Sequence, residues 1–109
     1  MSGEEKLFEN KVKKWLKENN IWYFKVWGGL FQKAGIPDII GCCNGRFIAL
    51  EIKASNGKPS KLQLYVIEQI KKSGGYARIV YPDDFEYLVK DLSSFEAVGI
   101  VKGYLNVRD

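Results

Sequence analysis

Asn44-Gly45 stands between two apolar, β-branched runs, and this dipeptide constrains the fold more than any other feature of the chain. A two-residue hairpin loop of type I′ needs positive φ at both central residues, which asparagine and glycine tolerate. With these two as the loop, Cys43 faces Arg46, Ile39 faces Leu50, and Asp38 faces Glu51 across the ladder. Directly opposed side chains have Cβ atoms about 4.5–5.5 Å apart, where two like charges destabilise a sheet. A cation between the carboxylates removes that penalty. Lys53 lies two residues beyond Glu51 and points to the same face, because strand side chains alternate. Two acids and an ammonium at one spot are the ingredients of magnesium-assisted phosphodiester hydrolysis.

The hairpin arms, Asp38 to Cys43 and Arg46 to Ala54, are apolar on both faces. Ile39, Ile48 and Leu50 share one face; Ile40, Phe47 and Ala49 share the other. Such strands are usually central and covered by helices on both sides. A helix is expected from about Glu4 to Asn19, with Phe8, Val12, Trp15 and Leu16 at helical spacing and lysines on the remaining surface. Ile21 to Val26 reads as a strand, and Gly28-Gly29 opens a flexible segment running to Gly35. Ser60 with Gln63 three residues later is a capping-box pattern that opens a second helix, closed by Gly74-Gly75. Tyr76 to Tyr81 reads as another strand. Asp83 with Glu86 repeats the box spacing for a helix to about Leu92, and the tail from Ser93 to Asp109 gives only a weak signal. The expected order is α-β-β-β-α-β-α plus a short tail, an α/β fold with a mixed sheet flanked by helices. The helix after Lys53 serves as a crossover, which makes the strands 46–54 and 76–81 parallel.

A chain of 109 residues suits a single domain, 1–109, with one modest core. The charge of +4 permits a polyanionic partner without requiring one. The absence of histidine is more restrictive. It removes histidine general bases, Ser-His-Asp and Cys-His systems, and ordinary histidine-containing zinc sites. Hydrolytic chemistry is left to carboxylates, lysines, hydroxyls and a metal. The only cysteines, Cys42 and Cys43, are adjacent in an apolar run and are expected as buried small hydrophobes of a reduced protein. No apolar signal core opens the sequence and no apolar run is of membrane-spanning length, so a soluble, intracellular, cytoplasmic protein is expected.

Several of these strings together resemble the PD-(D/E)XK nuclease superfamily. More narrowly, the chain is similar to the VRR-NUC (virus-type replication-repair nuclease) family. The residues that carry the likeness are Glu9, Gly35-Ile36-Pro37-Asp38, Phe47-Ile48-Ala49-Leu50-Glu51-Ile52-Lys53-Ala54, Gly57 and Ser60-Lys61-Leu62-Gln63, spread from residue 4 to about residue 90. A bare D…ExK pattern is weak. The preceding Gly-Ile-Pro, the hairpin and the following Ser-x-x-Gln make it specific. The resemblance implies a restriction-endonuclease-like core. It also implies Mg²⁺ as cofactor, with Mn²⁺ able to substitute, bound by Asp38, Glu51 and the Ile52 backbone carbonyl.

Asp38 and Glu51 suit a hard divalent cation, since magnesium typically takes one or two carboxylates and keeps several waters. Lys53 would orient the attacking water and stabilise charge on the phosphoryl oxygens; a plain salt bridge to Glu51 is its ordinary alternative. Glu9 borders the first helix's apolar stripe and, by the resemblance, supplies a further carboxylate, directly or through water. Glu5 competes for that role, and a solvated acid among lysines is the bland reading. Gln63 is either a capping residue or, by the resemblance, an amide beside the active centre, and the two are compatible. Tyr65 is expected to pack or to line the rim.

Lys25, Lys33, Lys58 and Lys61 are candidates for DNA phosphate contacts, which position a duplex without reading its sequence. Trp27-Gly28-Gly29-Leu30-Phe31 is expected to tuck its aromatics into the core, with a DNA wedge or a dimer contact as rivals. The resemblance implies a metal-dependent DNA endonuclease, structure-specific on branched DNA such as a Holliday junction, in replication, recombination or repair. It would leave a 5′-phosphate and a 3′-hydroxyl and act as a homodimer. A flap- or nick-processing or restriction-type nuclease is the nearest alternative; a catalytically silent DNA-binding module of the same fold is another.

Overall fold

The computed structural model of the chain describes residues 3–28 and 34–96. Its elements follow the expected order: α1 (Gly3–Glu18), β1 (Trp22–Lys25), β2 (Ile39–Cys43), β3 (Arg46–Ile52), α2 (Lys61–Lys72), β4 (Tyr76–Val80), a 3-10 turn (Pro82–Asp84) and α3 (Phe85–Ser93). The four strands form one mixed sheet in the order β1-β2-β3-β4. β1 and β3 flank β2 antiparallel, and β4 joins β3 in parallel through the α2 crossover.

Apolar residues on both faces of the hairpin put it at the centre. Ile39, Ile48, Leu50 and Ile52 pack with Val80 against Phe8, Val12 and Leu16 of α1 and Leu88 and Leu92 of α3. On the opposite face Ile40, Ala49, Ala77 and Ile79 meet Ile67 and Ile70 of α2. The sheet therefore lies between two helix layers. No helix among the described residues is long and apolar enough to cross a membrane.

The turn has the predicted form. Asn44 and Gly45 have φ of 52° and 86°, and the register runs from Cys43↔Arg46 to Ile39↔Leu50. The ladder stops there, one pair short of the expected Asp38–Glu51 partnership. Asp38 follows Pro37, which cannot donate to a ladder, and its own groups are used differently. Its carbonyl accepts from the Val26 amide at 2.7 Å, and its Oδ2 accepts from the Ile52 amide at 2.8 Å. A side-chain carboxylate replaces a strand carbonyl at this point.

Two other expectations are corrected. Cys43 is buried, but Cys42 is exposed. It pairs with Trp22 on one side and Phe47 on the other, both themselves exposed, at the turn end of the hairpin. The box expected between Asp83 and Glu86 does not form either. Pro82 opens the 3-10 turn, and the Tyr81 amide donates to Asp84 Oδ2 at 3.0 Å. The most weakly signalled segment, 97–109, and the middle of the Gly28–Gly35 stretch, 29–33, lie outside the described residues.

Gly41 lets β1 lie close against β2. A Cβ there would lie 2.4 Å from the Trp22 carbonyl oxygen and 3.0 Å from Tyr23 Cβ. A backbone atom cannot step aside, so Gly41→Ala should push β1 off the sheet and cost about 1–3 kcal/mol, the scale of overpacking. Urea unfolding would show this as a lowered midpoint. An unchanged midpoint would mean that β1 shifts freely.

Candidate active site

Glu51 is the last residue but one of β3, on the face covered by α2, and is only 3% exposed. Its Oε2 accepts from Gln63 Nε2 at 3.0 Å and lies 3.5 Å from Lys53 Nζ. Its Oε1 is buried with no hydrogen-bond partner among the described residues. Burial pushes the carboxyl up to about 7; the neighbouring Asp38 charge adds to the shift, and Lys53 opposes it. The two acids are close neighbours although the ladder ends before them.

Gln63 caps α2 and also reaches Glu51. Its Oε1 accepts from the Ser60 amide at 2.9 Å, while the Ser60 hydroxyl accepts from the Gln63 amide at 3.0 Å. The cap uses the carbonyl end of the side chain, which leaves the NH₂ end aimed at Glu51. Helix capping thus fixes a donor on the buried carboxylate. Gln63→Ala should remove the cap and that charge-assisted bond together and cost about 1–3 kcal/mol in unfolding free energy. A variant as stable as the wild type would break the link between cap and site.

Lys53 follows the end of β3, and its amide still donates to the Val80 carbonyl at 3.0 Å. Its stem runs beside Gly57, where a Cβ would sit 3.4 Å from Lys53 Cδ. The loop that carries Gly57 is held from two sides. Tyr81 Oη donates to the Gly57 carbonyl at 2.9 Å, and the Glu4 carboxylate accepts from both the amide and the hydroxyl of Ser55. Those two Ser55 bonds hold the Glu4 carboxyl below its ordinary value.

Glu9, rather than Glu5, is the buried acid of α1; Glu5 is partly exposed. Burial raises the Glu9 carboxyl, but Lys25 at 2.6 Å and Lys13 at 3.2 Å outweigh it and leave it lowered. Lys25 also lies 3.7 Å from Asp38 Oδ1 and is only 13% exposed. As a candidate for a surface phosphate contact Lys25 is therefore corrected, since its ammonium is engaged between two acids. The available signal was strand alternation: Lys25 shares the inward face of Tyr23, while Trp22 and Phe24 point outward.

Lys58 and Lys61 are exposed on either side of the loop entering α2, and Lys33 lies outside the described residues. Tyr65 is exposed beside Leu62, as a rim residue would be. Trp27 departs from expectation: it is 71% exposed, with Lys25 Nζ 5.8 Å from its ring centroid. Leu30 and Phe31 are outside the described residues.

Among the described residues no three His, Cys, Asp or Glu side chains form a ready metal cage. Magnesium does not need one, because two carboxylates, a carbonyl and retained waters fill its octahedron. The unpartnered Glu51 Oε1 beside Asp38 fits such an ion. No protein-family model matches the chain, and no curated protein is significantly similar to it.

Proposed function

We propose that this chain is a Mg²⁺-dependent DNA endonuclease of the PD-(D/E)XK superfamily, similar to the VRR-NUC family, with a restriction-endonuclease-like core. One observation carries the reading: Asp38, Glu51, Lys53 and Gln63 converge at the end of β3, and Glu51 keeps a buried carboxylate oxygen with no hydrogen-bond partner among the described residues. A buried acid beside a second acid is costly unless a cation joins them.

Asp38, Glu51 and the Ile52 carbonyl would hold the ion. A bound divalent ion polarises a phosphoryl oxygen and lowers the pKa of its water, and Mn²⁺ accepts the same oxygen ligands. The Lys53 ammonium, held by its packed stem, would meet charge developing on the scissile phosphate. Gln63 keeps Glu51 oriented. Lys58 and Lys61 would seat flanking phosphates, a contact that positions DNA without reading its sequence.

Branched DNA, such as a four-way junction, is the substrate this reading favours. A homodimer would place two sites for paired cuts. The test is incubation of labelled four-way junction, flap, nicked and linear duplex DNA, with and without Mg²⁺. Symmetric paired incisions with 5′-phosphate ends are expected on the junction. Preferred cutting of flaps or nicks would move the substrate class. Binding with no cutting in Mg²⁺ or Mn²⁺ would make the chain a silent DNA-binding module and end the proposal.

A further inference from the structure

Glu9 and Asp38 come from opposite ends of the α1–β2 segment, yet both reach one ammonium. Lys25 Nζ lies 2.6 Å from Glu9 Oε1 and 3.7 Å from Asp38 Oδ1. Lys25 pairs with Ile39 in the β1–β2 register and so shares the face covered by α1, whereas Glu51 lies under α2. Asp38 sits at the sheet end between them. Its Oδ2 is held by the Ile52 amide, and its Oδ1 faces Lys25.

Two cation seats therefore adjoin and share Asp38. Each seat has a buried carboxylate oxygen without a hydrogen-bond partner among the described residues, Glu51 Oε1 and Glu9 Oε2, but the Glu9 seat is filled by ammoniums, Lys25 2.6 Å from Oε1 and Lys13 3.2 Å from Oε2. Glu9 is fully buried, so stripping away the positive charge beside it would be strongly destabilising. Two-metal nucleases use adjoining cations to steady the attacking and leaving oxygens of an in-line displacement. We infer that Lys25 is a built-in second cation, its ammonium standing where a second metal ion would otherwise bind, so that the chain takes one divalent ion rather than two. The inference rests on the proposed nuclease reading for the first seat. A tethered ammonium keeps the second charge in place at any Mg²⁺ concentration. It also leaves Glu9 as a positioning residue that holds Lys25 against Asp38.

Counting bound Mn²⁺ by electron paramagnetic resonance tests this without any cleavage assay. The wild type should bind one ion per chain, lost in Glu51→Gln. Lys25→Met should bind two, and the double variant Glu9→Gln/Lys25→Met should return to one. An equal count in wild type and Lys25→Met would overturn the inference. If Lys25→Met does not fold alone, saturating Mn²⁺ should restore its circular dichroism and its cooperative melt. A chain that stays unfolded in Mn²⁺ would equally overturn it. Failure of the nuclease reading looks different: the wild type would then bind no ion that Glu51→Gln removes, whatever Lys25→Met does.

Discussion

Glu51→Gln should have two opposite effects, abolishing Mg²⁺-dependent cleavage while stabilising the metal-free protein above neutral pH. Burial, then the Asp38 charge, lifts the Glu51 carboxyl from 4.5 to about 7. Within that window the folded chain binds more protons than the unfolded one, so stability falls as pH rises through it. Above the window the full cost of the buried charge stands. Glutamine carries no charge at any pH, and its carbonyl can still accept from Gln63 Nε2. The gain at pH 8 should be on the order of 2–3 kcal/mol, worth several degrees of melting temperature in a domain of this size. Melts in chelator at pH 5 and pH 8 check it. The wild type should lose more stability between the two than the variant; parallel curves would contradict the assignment. Cleavage should drop by roughly a thousandfold or more, the scale seen when a group that stabilises developing charge is removed.

Asp38 separates structure from chemistry in the same way. Asp38→Ala should end cleavage and also leave the Ile52 amide without its acceptor. An orphaned buried donor costs about 1–3 kcal/mol, and Lys25 loses one of its acids as well. Asp38→Asn keeps a carbonyl oxygen for the Ile52 amide, so it should fold within about 1 kcal/mol of wild type yet be as inactive as the alanine variant. Urea midpoints beside a cleavage time course would resolve the two roles. An active asparagine variant would remove Asp38 from the set of metal ligands.

The parts of this fold that were legible in the sequence are those governed by local chemistry. Asn44-Gly45 sets the register because its positive φ values leave one hairpin geometry. Ser60 and Gln63 start α2 because a hydroxyl and an amide three residues apart satisfy each other's backbone donors. The apolar pattern on both faces of β2 and β3 placed them between helix layers.

What escaped is decided by tertiary partners. Asp38 leaves the ladder to hold the Ile52 amide, a bond that no local pattern encodes. Lys25 looked like one more basic residue until α1 brought Glu9 against it. Cys42 has the composition of a core residue but lies exposed between Trp22 and Phe47 at the turn end of the hairpin. Pro82 shifted the capping contact from Asp83 to Asp84, because a 3-10 turn intervenes. Gln63 was legible as a cap, and its bond to Glu51 follows only once α2 lies across β3.

The acidic pair at the end of β3 is most directly tested by melting the protein at pH 8 across a Mg²⁺ series. Ionic strength is held constant with an inert salt, and Asp38→Asn runs alongside. An ion that binds only the folded chain raises the melting temperature steadily with the logarithm of its concentration once the site is saturated. The wild type should show that rise and Asp38→Asn should not. A wild-type melting temperature that ignores Mg²⁺ would contradict the account at its base.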